Sequence, residues 1–253
     1  MRKLGVGLAA ALILLGGTAA RAEVTVAALT GWPPFSGANL DDNGFANEVI
    51  ATALRRAGRD VAVETMPWPR AKRMVNKGEH DILSSVWHNE AREKRLAFTE
   101  PIAHNRLVFI TRAGREFTYT GLDSLAGLRV GIAQGFHYGD PFMQADHFTR
   151  EPAPNLLTNL FAVDTGEVDA AVGDALIARH LINTNDARFE HAFDLSEKPL
   201  STRPLYAGVS RAVDDTSAIV EAMNTGLQAL REDGTYAQIK RRHNLLGPAA
   251  AAD

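Results

Sequence analysis

The 253-residue chain contains no cysteine, so it forms no disulfide, carries no thiol nucleophile and lacks the lipid-bearing cysteine of a bacterial lipoprotein. Its eight histidines show no close ligand spacing such as HxxxH, which argues against a metal site. Neither a Ser–His–Asp arrangement nor a catalytic carboxylate pair stands out among its motifs. We therefore expect no metal, no cofactor and no enzymatic activity.

The N-terminus carries an apolar run from Leu4 to Gly17 that follows two basic residues. The run is shorter than the ~18 residues that a spanning helix needs, so a membrane anchor is the weaker alternative. Ala20-Arg21-Ala22 places small residues at the −3 and −1 positions of a cleavage site. This pattern predicts a secretory signal peptide over residues 1–22 and a soluble periplasmic protein that begins near Glu23.

The composition is that of an ordinary globular chain, with 45% hydrophobic and 23% charged residues. The net charge is −3, and removal of the basic leader makes the mature chain more acidic. We therefore expect no nucleic-acid partner.

Apolar strands alternate with amphipathic helices along the mature chain, which predicts an α/β fold with mostly parallel sheets. The predicted strands are Val24 to Leu29, Val61 to Met66, Asp81 to Val86, Leu107 to Thr111, Leu128 to Ala133, Val168 to Val172 and Leu205 to Ser210. The predicted helices are Phe45 to Ala57 (capped by Asn43), Pro69 to Asn76, Asn155 to Val163, Ala175 to Ile182, Thr216 to Arg231 and Thr235 to Arg242. A polar stretch from Gly114 to Gly121 separates two α/β runs, so we expect two lobes with a cleft between them.

The segment from Lys77 to Pro101 is the most informative part of the chain. It reads as a short buried strand, a polar turn and a basic helical turn that carries Arg92. Ligands of α/β sheets bind beyond the carboxyl ends of the strands, and a guanidinium grips a carboxylate with two parallel hydrogen bonds. Arg92 is therefore a candidate carboxylate ligand, although its charged neighbours also fit a solvated helix face.

Several motifs in this order resemble the bacterial periplasmic solute-binding proteins of the polar amino-acid type (extracellular solute-binding protein family 3), from about Val24 to Leu245. The motifs are Gly44-Phe45, Gly78-Glu79-His80-Asp81, Arg92 with Phe98-Thr99-Glu100-Pro101, Leu125-Ala126-Gly127-Leu128-Arg129-Val130-Gly131, Gly166-Glu167-Val168-Asp169-Ala170, and Asp233-Gly234-Thr235-Tyr236-Ala237. The resemblance implies the two-lobed, type II periplasmic binding protein fold, in which each lobe is a mostly parallel sheet flanked by helices. It places lobe 1 at 23–112 plus 207–247, lobe 2 at 113–206 and a flexible tail at 248–253.

The same resemblance implies a receptor that captures a small amino acid or related carboxylate and delivers it to an inner-membrane ABC permease, acting as a monomer. Position by position, Arg92 matches the arginine for the ligand α-carboxylate, and Asp174 matches the acid for the α-ammonium. The other positions that match the pocket are Trp32, Trp68, Ser85, Trp87, Gln134, Phe136 and His137. A zwitterion bound between a cation and an anion in different lobes would couple binding to closure.

Each of these residues also has a plainer interpretation. Asp174 could simply cap the helix that begins at Ala175. Trp32 could pack on the two prolines that follow it, and Trp68 could belong to the core.

The chain departs from the family pattern at three pocket positions. Leu29 stands where many members have an acid, while Trp87 and Phe136 stand where threonine is usual. An aromatic wall of this kind favours a flat, aromatic or cationic ligand.

Two other functions stay open at this point. One is an enzyme, because the same fold carries a periplasmic cyclohexadienyl dehydratase; that chemistry would need a pocket acid such as Glu100 or Asp174 with a raised pKa. The other is a ligand-binding sensory module.

Overall fold

The computed structural model describes residues 23–134, 136, 138–185 and 187–245. The predicted signal peptide and the tail at 248–253 lie outside them. Within the described residues, every helix is too short or too polar to cross a membrane.

The strands are β1 (Val24–Leu29), β2 (Gly31–Trp32), β3 (Ser36–Gly37), β4 (Val61–Met66), β5 (Ile82–Val86), β6 (Leu96–Phe98), β7 (Ala103–Arg112), β8 (Arg129–Ala133), β9 (Thr149–Ala153), β10 (Ala170–Asp174), β11 (Phe193–Leu195) and β12 (Ser201–Ser210). The helices are α1 (Phe45–Arg56), α2 (Trp68–Asn76), α3 (Glu90–Glu93), α4 (Asp140–Gln144), α5 (Leu156–Thr165), α6 (Ala175–Thr184), α7 (Thr216–Glu232) and α8 (Thr235–Arg242). Short 3-10 turns cover Asp41–Asn43, Leu122–Leu125 and Ala187–Phe189.

The main sheet runs in the order β4-β1-β5-β12-β7-β10-β8-β9, with β6 beside β12 and β11 beside β7. The pairs at its two ends are parallel: β1 with β4 and β5, and β8 with β9 and β10. The long strands β7 and β12 join these halves through antiparallel pairing. We call the half built on β1, β4 and β5 lobe 1 and the half built on β8, β9 and β10 lobe 2.

The hydrophobic core divides in the same way. Phe45, Leu54 and Met223 are fully buried in lobe 1, where α1 and α7 cover the sheet. Phe109 and Phe142 are buried in a separate cluster in lobe 2. Strand β7 contributes to both, because Ala103 lies in the first core and Phe109 in the second. Two cores joined by extended strands are the anatomy of a two-lobed fold, so the predicted fold class is confirmed.

Most predicted elements are present, and several differ at their ends. The strand expected at Val168 to Val172 begins two residues later, at Ala170, and runs through Asp174. The strand expected from Leu205 begins at Ser201, because β12 pairs with β7 from Ser201 to Leu205. Pro204 is tolerated there since β5 pairs with β12 only from Tyr206 onwards, which leaves that side of the strand open.

The prediction that Asn43 caps α1 is wrong. Gly44 holds the N-cap position with a φ of 104°, and the described side chains supply no cap. A Cβ on Gly44 would lie 2.8 Å from the carbonyl oxygen of Phe35, so a close backbone approach requires glycine here. Asn43 instead accepts a hydrogen bond through its carbonyl from Asn47 Nδ2, at 2.7 Å.

Candidate functional site

Arg92 projects from the short helix α3 at the end of lobe 1. Asn89 caps this helix by accepting a hydrogen bond from the Arg92 backbone N–H at 2.9 Å, which fixes the turn. The guanidinium Nη1 donates to the carbonyl of Trp87 at 2.6 Å, and its carbon lies 5.4 Å from the centre of the Trp68 ring. Partial burial lowers the pKa of Arg92 from its usual value, but the group stays cationic at every physiological pH. Arg92 is thus a positioned cation and not a solvated charge on a helix face.

Two of the predicted tryptophans, Trp68 and Trp87, contact this cation, and the third contacts Trp87. Trp32 meets Trp87 edge to face, with ring centres 5.9 Å apart, and Trp68 lies under Arg92. Arg203 lies over the Trp87 ring, with its guanidinium carbon 5.5 Å from the ring centre. Two of the rings expected to favour a cationic ligand, those of Trp68 and Trp87, therefore already contact cations supplied by the chain itself.

A chain of hydrogen bonds connects this wall to Asp174. Trp87 Nε1 donates to Asn105 Oδ1 at 2.8 Å, and Asn105 Nδ2 donates to Asp174 Oδ2 at 3.0 Å. Asn105 lies on β7, which passes from one lobe to the other. The link therefore runs from lobe 1, through a connecting strand, to the first turn of α6 in lobe 2.

Asp174 is the last residue of β10 and the N-cap of α6. Its Oδ1 accepts from the backbone N–H groups of Leu176 and Ile177 at 2.9 and 3.0 Å, so the alternative role as a helix cap is real. The side chain is buried, and burial raises the pKa of its carboxyl to about 6 against the lowering effect of these hydrogen bonds. The predicted acid thus lies beside the aromatic wall, but both of its oxygens already have donors.

Ser85 lies in β5 with a φ of 58°, which is rare for a residue other than glycine. Leu83 and Val86 of β5 pair with Gly208 and Tyr206 of β12, so β5 has one extra residue between the two pairs. This extra residue is a β-bulge. The Ser85 side chain is buried and contacts the Ser84 hydroxyl at 3.1 Å. Ser85 therefore shapes the strand end that leads to Trp87 and does not present its hydroxyl to the cavity beside Arg92.

The predicted lobe 2 residues are only partly placed beside the others. Gln134 is exposed after β8, where its backbone N–H donates to Ala153 O at 2.9 Å. Phe136 is 39% exposed and contacts Tyr138, with ring centres 4.9 Å apart. Within the described part of the chain, we observe no contact between either residue and Arg92 or the tryptophans. His137 lies outside the described residues.

A cavity of about 520 Å³ opens beside Arg92 and Trp87. Its wall also includes Arg203 and Tyr206 from β12, which the sequence reasoning missed, as it missed Asn105. A signal was available for Asn105: it lies two residues before an apolar strand, where an amide is buried only if it is hydrogen-bonded. Arg203 gave none, because the adjacent Pro204 argues against a strand at that position.

Glu100, one of the two acids considered for catalysis, lies elsewhere. Its backbone N–H donates to Asn224 Oδ1 on α7 at 2.7 Å, and its side chain lines a separate surface groove on lobe 1. Asp174, the other acid, has a raised pKa and is linked to Trp87 through Asn105.

The chain matches the family described as bacterial extracellular solute-binding proteins, family 3, over residues 24–245. The ABC transporter arginine-binding protein 1 of Escherichia coli (strain K12) is 24% identical over 245 residues, which cover 94% of this chain and 97% of that protein. The virulence sensor protein BvgS of Bordetella pertussis is 28% identical over 182 residues, which cover 68% of this chain and 14% of BvgS.

Solved structures share the fold. The second substrate-binding domain of Lactococcus lactis GlnP, in its open conformation, superposes with a TM-score of 0.74 at 18% identity, covering 87% of this chain and 94% of that one. A substrate-binding protein of a polar amino acid ABC uptake transporter from Streptococcus thermophilus gives 0.73 at 15% identity, covering 89% and 88%. The family match extends over both lobes and both connecting strands, and on that basis the chain belongs to the bacterial extracellular solute-binding proteins of family 3.

Proposed function

We propose that this protein captures a small amino acid or related carboxylate between its lobes in the periplasm and delivers it to an inner-membrane ABC permease. The observation that carries this proposal is the position of Arg92. Its guanidinium is partly desolvated, held by the Trp87 carbonyl and the Trp68 ring, and exposed to a cavity large enough for a small ligand. A cation prepared in this way binds a carboxylate more strongly than a freely moving surface arginine does.

Family membership and the likeness to an arginine-binding ABC transporter protein support a transport role. We further propose that the lobes are 23–112 plus 207–247 and 113–206, with β7 and β12 as hinges, and that the mature protein is monomeric. Its capture step needs no catalysis, and we propose that the protein returns its ligand unchanged.

A sensory role is the second candidate, favoured by the similarity to BvgS. The two roles differ in the step after ligand binding. A transport receptor restores ligand uptake when it is reconstituted with its permease in vesicles, whereas a sensory module binds the same ligand without supporting uptake.

The test of the proposed site is the substitution Arg92→Ala. We expect it to weaken binding by on the order of 3 kcal/mol, because a desolvated carboxylate would lose its paired cation. The ligand is first identified by a thermal-shift screen of the mature protein against amino acids, polyamines and small carboxylates, and calorimetry then gives the affinities.

Arg95→Ala is the matched control, because Arg95 is exposed just after the same helix and its loss removes the same charge. Its affinity should stay within about twofold of the wild type, as expected for a solvated surface charge. If Arg92→Ala binds the identified ligand as tightly as Arg95→Ala does, the carboxylate site is not at Arg92.

A further inference from the structure

Arg203 lies on the same face of the connecting strands as the site residues. In the antiparallel pairing of β7 and β12, Arg203 is directly opposite Asn105. Directly opposite residues project from the same side of a sheet. Asn105 uses that side to contact both Trp87 and Asp174. Arg203 therefore shares the face on which the two lobes meet.

Arg203 and Arg92 approach the same residue from two directions. Arg203 lies over the Trp87 ring, while Arg92 donates to the carbonyl of Trp87. Both side chains line the cavity of about 520 Å³. The cavity therefore has two guanidinium groups in its wall.

Among the described residues, neither of these two cations forms an ion pair with the protein, although Glu93 on α3 pairs with His88 in the cavity wall at 3.4 Å. None of the described residues that line the cavity is Asp or Glu. Within the described part of the chain, no carboxylate comes within ion-pair distance of Arg92 or Arg203, whereas arginines elsewhere, such as Arg59 with Asp215 at 2.6 Å, do form ion pairs. An anion bound in the cavity would be attracted by both guanidinium groups.

The carboxylate of Asp174 does not neutralise the charges of Arg92 and Arg203. Asp174 is buried, and both of its oxygens accept hydrogen bonds from the chain. Asp174 is also not among the described residues that line the cavity, so a cationic ligand group meets no carboxylate there, while an anionic group meets donors that are still open on Arg203.

We infer that the cavity takes a small dicarboxylate, with or without an amino group, whose first carboxylate binds Arg92 and whose second binds Arg203. This inference rests on the proposed carboxylate site at Arg92 and adds the identity of the second group. It differs from the arginine named for the Escherichia coli relative. The position that makes the difference is Arg203, on the strand that connects the lobes.

The test compares dicarboxylates with probes that lack one carboxylate. Succinate, glutarate, aspartate and glutamate are measured by calorimetry against butyrate, pentanoate, asparagine and glutamine, with arginine as the cationic probe. We expect at least one dicarboxylate to bind about tenfold or more tightly than its one-carboxylate counterpart, the difference that one added charged hydrogen bond makes.

Arg203→Gln should abolish this preference and leave the affinity for the one-carboxylate counterpart within about twofold, since only the second contact is lost. Arg203→Lys keeps the charge and should keep part of the preference, which also covers the case in which the glutamine variant does not fold. Arg55→Gln, an exposed position on α1, removes the same charge far from the cavity and should change nothing.

Three results would overturn the inference. They are that no dicarboxylate binds, that dicarboxylates bind no better than their counterparts, or that the preference survives in Arg203→Gln. If arginine or a one-carboxylate probe binds with dependence on Arg92 and no dicarboxylate binds more tightly, the dicarboxylate inference fails while the proposed function stands. The proposed function is contradicted by a different result, namely that the substitution Arg92→Ala leaves ligand affinity unchanged.

Discussion

Asp174 illustrates how one residue serves both local structure and the site. Its carboxyl caps the first turn of α6 and also accepts a hydrogen bond from Asn105, so both of its oxygens are hydrogen-bonded. Burial nevertheless raises the pKa to about 6, because losing water costs the ionised form more than these hydrogen bonds return. The predicted ammonium partner is thus also a group whose pKa lies at about 6.

This raised pKa makes stability depend on pH. The folded protein binds a proton more tightly than the unfolded chain, whose carboxyl has the ordinary value of 3.8. The contribution of Asp174 is therefore fully present below about pH 4 and is lost as the pH rises to about 6, by about 3 kcal/mol. Chemical denaturation across pH 3 to 8 measures it.

Asp174→Asn is the matched variant, since asparagine is also a good helix cap. The new side-chain NH2 group faces the NH2 group of Asn105, and these two donors cannot pair. This lowers the free energy of unfolding by an amount that does not vary with pH. We expect the decline between pH 4 and 6 to be absent from this variant. An unchanged pH profile would show that Asp174 titrates normally in the folded protein.

At the scale of elements, α1 and α7 pack at a distance set by glycine. A Cβ on Gly226 would overlap the carbonyl group of Ala53, so no larger residue fits between the two helices as they stand. The helical pattern alone predicted α7 within one residue of its observed end, yet it left a glycine unexplained in the middle of the helix. Glycine is needed at this position because α1 packs closely against it.

Gly226→Ala should lower the free energy of unfolding by about 2 kcal/mol, because overpacking of the helix contact exceeds the gain in helix propensity. Ser217→Ala, at an exposed position on α7, should stay within about 0.5 kcal/mol of the wild type. Urea denaturation of both variants compares them directly. Stabilisation of Gly226→Ala would mean that the two helices are free to move apart.

At the scale of the whole molecule, α6 contacts both lobes. Leu176 and Ile177 pack against the lobe 1 core, and Asn183 Nδ2 donates to Asn244 O after α8 at 2.9 Å. Farther along the helix, Ile182 packs within lobe 2. The helix capped by Asp174 therefore links the candidate site to the relative position of the lobes.

Ile177→Ala should loosen this contact and broaden the range of lobe orientations, because it removes apolar area at the boundary. Small-angle X-ray scattering of the unliganded protein should then give a larger radius of gyration than the wild type. Ile182→Ala makes the same chemical change inside lobe 2 and should leave the scattering unchanged. Equal scattering from the two variants would exclude a role for Ile177 at the boundary.

The sequence by itself determined the elements and the family. Alternating patterns located most strands and helices because burial on one face imposes the spacing of apolar residues, and the motif order identified a two-lobed fold. It also singled out Arg92 and the tryptophans, which follow the parallel strands β1, β4 and β5 and so come to the same edge of the sheet. Only the tertiary structure decided what meets across the connecting strands. Asn105, Asp174 and Arg203 come from distant segments, and their pairing depends on the register of β7 with β12 and of β7 with β10, which local spacing does not encode.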